Sequence, residues 1–544
     1  MTQYDVLIAG AKIVNGSGNP WFYGDVALAE GKIAAVAPVG RLDQAQAGEV
    51  VDAGGHVVCP GFIDIQSHSL VPLFTNGQSL SKVTQGVTTE ILGEGWTPAP
   101  FGGRIDEPLR GYFDLSDEMR ATIRGWSRFG DWLRWLEGRG AAVNVGSFLG
   151  GGTLREFVKG WDTGESTPEE LETMRRVVRE AIEDGAFGVA TALIYPPNSW
   201  TTDAELYETC RVIAEHGGVY ITHMRSEADA FLEELEKTID LGRQTGCPIE
   251  LYHLKVGGSR NWHKMPMALE MITAARAEGI DITADMYPYI AGGTGLASAL
   301  PPWAAEGGLL RERLRDPDMR EKIRHEMMEP TGGWEPLATL AGPEGVMIAE
   351  LRSPANARFT GMRLSAIAEE RKQHWIDCLM DLVLEEEIWI HAVYFMMTEE
   401  NLPRQFEQPW MKISTDAAGL DPALHGNAVT HPRSYGTYTR VLGKYVRDDG
   451  VLTLEDAIRK MTSAVADRLT LRDRGLLREG MAADVVIFDP ATVRDNATFE
   501  QPHQLSTGVR DVWVNGQRVL QDGAHTGNLP GQIVYGPGRS VDDG

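Results

Sequence analysis

Cysteine is scarce: Cys59, Cys210, Cys247 and Cys378 are the only four in 544 residues, widely spaced and without a CxxC pair. That excludes a disulfide framework and a thiolate zinc site. Runs of lysine or arginine are missing too, and 77 acidic against 51 basic residues leave a net charge of −26. The positive footprint that nucleic acid or an anionic membrane requires is therefore lacking, and the acidity reads as a well-solvated surface. No stretch is apolar for the length of a bilayer, and the opening MTQYDVLIAG has no charged segment followed by an apolar core. A cytoplasmic location is expected. No repeat of solenoid period is visible.

What is present is an ordinary globular mixture, 42% hydrophobic and 24% charged, in a chain long enough for one large domain with additions. Residues 1–58 read as short strands broken by glycine turns: YDVLIAGAKIV, GDVALAEGKIAAVAP and EVVDAGGHVVCP. Residues 468–544 repeat that texture in ADVVIFDP and VRDVWVNGQRVL. Between them, 59–467 alternates strand and helix. Thr167 caps one helix, with Pro168 first and Glu170 in the capping-box place, and Gly185 stops it before GVATALI; three similar units end at Gly217, Gly246 and Gly279. Apolar strands after each helix predict parallel pairing under helices, an α/β class. Counting GFIDIQSH, VTTEILG, NVGSFLG, IWIHAV and KISTDA gives nine strand candidates where a closed (β/α)8 barrel takes eight. A segment from about 292 to 363, rich in Gly, Pro and charge with a helix near Pro317–Met328, reads as an inserted subdomain.

A barrel carries its chemistry at the C-terminal ends of its strands. Five ligand-type residues stand there: His68, Glu94, His223, His253 and Asp416. One such histidine is more often structural, but five on separate strands converge on one hole. Two imidazoles and a carboxylate suit a catalytic zinc that keeps a position open for water. His223 and His253, 30 residues apart, fit neighbouring strands. His216, His325, His374, His503 and His525 fall on helices or outer loops.

PGFIDIQSH resembles the PGFID-x-H-x-H signature of the amidohydrolase superfamily, and GLLREGMAADVVIFDP its exit from barrel into β-sandwich. GVTTEILGEGWTPAP, TALIYPP, THMRSE, HLKVGG, TADMYPY and HPRSYGT, in that order, are similar to its N-acyl-D-amino-acid deacylase branch. The resemblance implies a TIM-like (β/α)8 metal-dependent hydrolase barrel with a β-sandwich made by both termini. It also implies a small N-acyl amino acid as partner, with Lys255, Tyr287 and Arg433 holding its carboxylate. It leaves room for a homo-oligomer. Three departures stand out: Gln66 replaces the first histidine of H-x-H, Glu94 and Gly95 stand where related deacylases have a bridging cysteine, and Gly151 replaces a motif histidine.

The expectation is one Zn2+ held tightly by Glu94, His223 and His253, with a weaker second ion open to His68. Asp416 is expected to move a proton from water to the leaving nitrogen, His68 to contact metal or oxyanion, and Gln66 to bind the acyl oxygen or orient water. Two alternatives are a cyclic-amide hydrolase of the hydantoinase or dihydroorotase kind and a non-catalytic ligand-binding relative.

Overall fold

The structure, a computed structural model, describes residues 3–109, 115–330, 333–386, 388–424 and 428–540. Five strands open the chain: β1 (Tyr4–Ile13), β2 (Phe22–Ala29), β3 (Lys32–Pro38), β4 (Ala47–Asp52) and β5 (Val57–Pro60). The α/β part follows with β6 (Phe62–Asp64), β7 (Val87–Leu92), β8 (Asn144–Ser147) continuing into β9 (Leu149–Gly150), β10 (Gly188–Ala192), β11 (Val219–His223), β12 (Ile249–Leu251) and β13 (Ile282–Met286). Their residues are buried throughout, which is why they read as continuous apolar runs rather than alternating ones. The intervening helices keep the predicted punctuation. Thr167 Oγ1 accepts the Glu170 N–H while the Glu170 carboxylate accepts the Thr167 N–H, and Met174, Val178 and Ile182 of helix Pro168–Glu183 face the core.

After β13 the chain leaves the barrel for β14 (Ala291–Gly295), β15 (Val346–Ile348) and β16 (His391–Phe395), then returns as β17 (Met411–Ile413). β16 is IWIHAV, the ninth candidate. It pairs antiparallel with β14 and β15, Val393 opposite Gly293 and Met347, and so lies outside the barrel. The inserted unit also runs past residue 363, to about Met396: helices Leu364–Arg371 and Trp375–Glu385 turn Ile367, Ile376, Leu379 and Leu382 onto a separate core with Leu296, Leu314 and Tyr394.

β6, β7 and β8 pair in parallel, as do β9 through β13 and then β17. Because β8 and β9 are one strand, the two sheets share it. The other ends meet at a parallel bridge between Ser67 and Ala417, where Asp416 N–H donates to Gln66 O (3.0 Å) and His68 N–H to Ala417 O (3.1 Å). Eight parallel strands thus close in a ring. Buried Lys82 pins that seam, donating to Asp64 Oδ2 (2.5 Å), Thr415 Oγ1 (2.6 Å) and Ala417 O (2.8 Å), so its charge and all three donors are satisfied.

The chain ends with β18 (Val485–Phe488), β19 (Val509–Val514), β20 (Gln517–Gln521) and β21 (Ala524–His525). β18 lies antiparallel to β5, Val485 opposite Pro60, so both termini build one nine-stranded sheet. β1 changes partner midway: Tyr4–Ala9 pairs with β4 and Lys12–Ile13 with β5, on either side of Gly10 at φ +75°. The sheet encloses its own core of Val6, Ile8, Val26, Leu28, Ile487 and Trp513. Among the described residues no helix is long and apolar enough to cross a membrane.

Candidate active site

The strand-end residues converge. His223 ends β11, Glu94 and His253 lie two residues beyond β7 and β12, Asp416 three beyond β17 and His68 four beyond β6. Because β11 and β12 are neighbours, the rings of His223 and His253 sit 4.4 Å apart, nearly perpendicular. Gly93 aims Glu94 inward: its φ is +120°, and a Cβ there would lie 2.5 Å from Phe148 O, so no larger residue fits. His253 (φ 32°) and Asp416 (φ 49°) occupy the left-handed region, which costs on the order of 1 kcal/mol for such residues. Each is held there by its own N–H, His253 donating to Asp285 Oδ1 (3.0 Å) and Asp416 to Gln66 O (3.0 Å).

Glu94 is the hub. Its Oε1 lies 3.2 Å from His223 Nδ1 and 3.6 Å from His253 Nε2; its Oε2 lies 3.3 Å from His68 Nε2 and accepts from Gln66 Nε2 at 2.5 Å. His68 Nε2 is 2.9 Å from Asp416 Oδ1, which also accepts from Gln66 Nε2 (3.1 Å). Glu94, His223 and His253 offer ligand atoms within 4.8 Å of one another, and so do His68, Glu94 and Asp416. Gln66, expected at the acyl oxygen or water, instead bridges the two carboxylates.

Charge explains the titration of these groups. Burial works against the Asp416 carboxylate, but the Arg433 charge, His253 and the His68 hydrogen bond outweigh it and hold its pKa at about 2. Glu94 is likewise driven well below the carboxylate range against burial, by hydrogen bonds from His223, His253 and His68. The imidazoles show the converse. Burial disfavours their charged forms, yet the carboxylates raise His68 and His223 to about 9. The pocket is thus anionic enough to hold protons on two rings. A divalent cation offsets the same charge with the rings neutral, and one oxygen with two imidazole nitrogens is a donor set that zinc accepts. The residues fit a zinc ion.

Sequence reading missed Glu227. Its Oε1 is 3.1 Å from His253 Nδ1 and its Oε2 3.2 Å from His223 Nε2, so one carboxylate places negative charge against the far sides of both rings. The only signal was a carboxylate four residues after a strand-end histidine. Lys255, which the sequence places on the substrate carboxylate, lies 2.7 Å from Glu227 Oε2 and donates to His253 Nδ1 (2.7 Å). The two other clamp candidates keep donors to spare. Tyr287 Oη and Arg433 Nε are buried with no hydrogen-bond partner among the described residues. The guanidinium lies 4.7 Å over the Tyr287 ring, with Nη1 2.6 Å from Asp416 Oδ2. His431, also missed, fixes this loop: Nδ1 accepts the Arg433 N–H (3.0 Å) and Nε2 donates to Ala291 O (2.9 Å), an arrangement that needs a neutral ring. Burial and the Arg433 charge keep it so.

The inserted unit reaches the site through Glu335, which accepts from Ser226 Oγ (2.6 Å) and from the Glu227 N–H. Burial, then the Glu227 charge, pushes the Glu335 carboxyl up from 4.5 to about 7. Between those values the folded protein keeps a proton that the unfolded chain has released. Stability from this group is therefore full below about pH 4.5 and declines as pH rises to about 7, by about 3 kcal/mol in all. Glu335→Gln, which keeps both acceptor contacts without the charge, is expected to flatten that decline and raise Tm above pH ~7. Thermal unfolding of both proteins across pH measures it, and parallel curves would remove Glu335 as the cause.

The Amidohydrolase family profile matches residues 57–290 and a second profile of that name residues 415–520. D-aminoacylase of Alcaligenes xylosoxydans xylosoxydans is 35% identical over 98% of this chain and 97% of its own. A D-aminoacylase structure, described for one-metal activation and second-metal attenuation of its binuclear centre, superposes with a TM-score of 0.81 at 31% identity, covering 98% of this chain and all of the other. N-acyl-D-glutamate deacylase of Bordetella bronchiseptica, complexed with zinc and a phosphonate mimic of the tetrahedral intermediate, gives 0.79 at 28% identity over 98% and 99% of the two chains. With a closed barrel, a terminal sheet and a strand-end cluster of carboxylates and imidazoles in common with that pattern, the chain belongs to the amidohydrolase family.

Proposed function

We propose that this protein hydrolyses the amide bond of N-acyl-D-amino acids, with a zinc ion held by Glu94, His223 and His253. The observation that carries the reading is Asp416: an ionised carboxylate set between His68 and Arg433 at the edge of a donor cluster that fits zinc. The names of the D-aminoacylase and D-glutamate deacylase relatives, and the zinc in the latter, support it. When bound, zinc supplies Lewis acidity, lowering the pKa of water to about 7 and polarising the scissile carbonyl.

The chain supplies the rest. Asp416, a carboxylate at neutral pH, takes the proton of the attacking water and passes it to the amide nitrogen, since an amine departs only once protonated. His68 and Arg433 orient that carboxylate from its two oxygens, and Gln66 fixes it relative to Glu94. Tyr287 Oη and Arg433 Nε, with their unused donors, receive the substrate carboxylate; Lys255 adds positive charge behind them. The cyclic-amide alternative lacks the lysine that would bridge two metals, because β10 is Gly-Val-Ala-Thr-Ala.

The test is a panel of N-acyl-D-amino acids, N-acyl-L-amino acids and cyclic amides offered to zinc-loaded protein. Turnover of the D series is expected, and its absence with turnover of a cyclic amide overturns the reading. Tyr287→Phe, which removes one hydrogen bond to a charged acceptor, is expected to raise KM about tenfold with little change in kcat. An unchanged KM would take Tyr287 out of the clamp.

A further inference from the structure

Strands β18 and β19 of the terminal sheet are joined by residues 489–508, a strap that leaves the sheet and crosses to the barrel. Its base is closed: Asp489 N–H donates to Gly508 O (2.8 Å), and Arg494 and Thr507 exchange backbone hydrogen bonds of 3.0 and 3.2 Å. Above the base it lies along helix Arg433–Arg440, which begins with the clamp arginine. Asp495 Oδ2 is 3.1 Å from Arg440 Nη1, and Ser506 Oγ donates to Tyr435 O (2.7 Å). A Cβ on Gly436 would lie 2.5 Å from that of Asp495, so this approach is one that only glycine allows. Further out the strap reaches the residues before the helix. His503 Nε2 donates to Ala428 O (2.7 Å) while its Nδ1 takes the Tyr435 hydroxyl (2.8 Å), tying that approach to the helix itself. Phe499 packs edge-on against His431, with ring centroids 5.0 Å apart at 78°, and against Phe395 of β16 at 4.6 Å. Phe395 stands opposite Ala291, the residue whose carbonyl accepts from His431 Nε2. Terminal sheet, inserted unit and clamp loop therefore meet at Phe499.

Resting on the deacylase reading above, we infer that Phe499 and His503 are positioning residues for the substrate carboxylate, so that the terminal sheet sets the Arg433 and Tyr287 clamp through His431. His431 is the link because it touches both clamp residues: its Nδ1 accepts the Arg433 N–H (3.0 Å), and its ring lies 5.9 Å from that of Tyr287. The guanidinium has supports of its own, Asp416 on Nη1 and Gly293 O on Nη2 (3.2 Å), which leave Nε for the substrate. Those contacts keep the charge beside Asp416. The angle at which Nε meets a carboxylate depends as well on where the Arg433 backbone starts, and His431 holds that backbone. A charge-assisted hydrogen bond is directional, so a clamp whose backbone shifts loses affinity for the carboxylate before it loses the proton-transfer group.

The test compares Phe499→Ala and His503→Phe with the parent, all zinc-loaded and full length, on N-acetyl-D-methionine and on its methyl ester, which keeps the scissile amide but carries no carboxylate. Each variant is expected to raise KM for the acid about fivefold, the worth of one aromatic edge contact or one hydrogen bond, with kcat per bound zinc within about twofold of the parent. The ester's kcat/KM is expected to stay at the parental level, so the acid-to-ester preference falls about fivefold. Phe499→Tyr, which keeps the ring, is expected to restore the parental preference. A strap that only joins the two domains would lower the folded fraction and depress acid and ester together. That result, or an unchanged KM in a variant whose zinc content and Tm show it to be folded, overturns the inference. Phe499→Leu gives the same sign at a smaller size and decides the matter if the alanine variant does not fold. A parent protein that hydrolyses no N-acyl-D-amino acid overturns the deacylase reading instead, and one that takes acid and ester equally overturns the clamp.

Discussion

Asp416→Asn is expected to lower kcat by at least ~100-fold while zinc content stays at the parental level. Asparagine keeps the shape of the side chain but cannot accept a proton from water at neutral pH, and the three principal donors, Glu94, His223 and His253, are untouched. The Arg433 guanidinium, 2.6 Å from the lost charge and buried, is left without its counter-ion, so Tm should fall by a few degrees. That fall is not the mechanism of the kcat loss. A merely structural Asp416 would lower Tm and the folded fraction but leave kcat per bound zinc intact. KM gives a second discrimination. Freeing Arg433 leaves one more donor for the substrate carboxylate, so KM should hold or drop while kcat collapses. Steady-state kinetics normalised to bound zinc read all of this, and near-normal kcat would move proton transfer to another group.

The residues that were legible in the sequence are those whose position along a strand is their role. His223 and His253 end adjacent strands one β/α unit apart, so spacing alone brings them together. The capping box at Thr167 is local in the same way. Glu227 and His431 were not legible because they act through contacts across loops, for which a sequence has no period. IWIHAV shows the limit of pattern from another side: a short apolar run packs equally well in a barrel or beside β14 and β15, and only the partner strands distinguish them. Lys255 shows that proximity is easier to read than partnership. Its place after β12 put it near the site, but Glu227, on the preceding loop, claims it. At Gln66 the sequence records a lost imidazole; the structure adds that the amide has acquired two carboxylates to hold.

That amide bears on the expected metal number. Chelated protein titrated with zinc is expected to recover full activity at about one equivalent. The second group of donors, His68, Glu94 and Asp416, has the composition of another site, but Gln66 already uses it. Its Nε2 donates to Glu94 Oε2 and to Asp416 Oδ1, while its Oε1 accepts from Ser414 Oγ at 3.3 Å, which sets the orientation of the amide. The reverse orientation would aim a carbonyl at two carboxylates. A second ion must therefore displace two charge-assisted hydrogen bonds to gain the oxygens, and it gains a single imidazole, His68, in return. The first group carries no such competitor: Glu94 Oε1 faces His223 Nδ1 and His253 Nε2, while Glu227 lies on the far side of both rings. Glu94→Ala should accordingly abolish zinc retention and activity together, whereas Gln66→His, which trades the competing donor for a nitrogen ligand, should raise zinc content from about one toward about two equivalents. Metal analysis of the dialysed variants checks both. Parental protein that becomes active only as a second equivalent binds would mean that the Gln66 amide yields to the metal, and that the catalytic centre is binuclear.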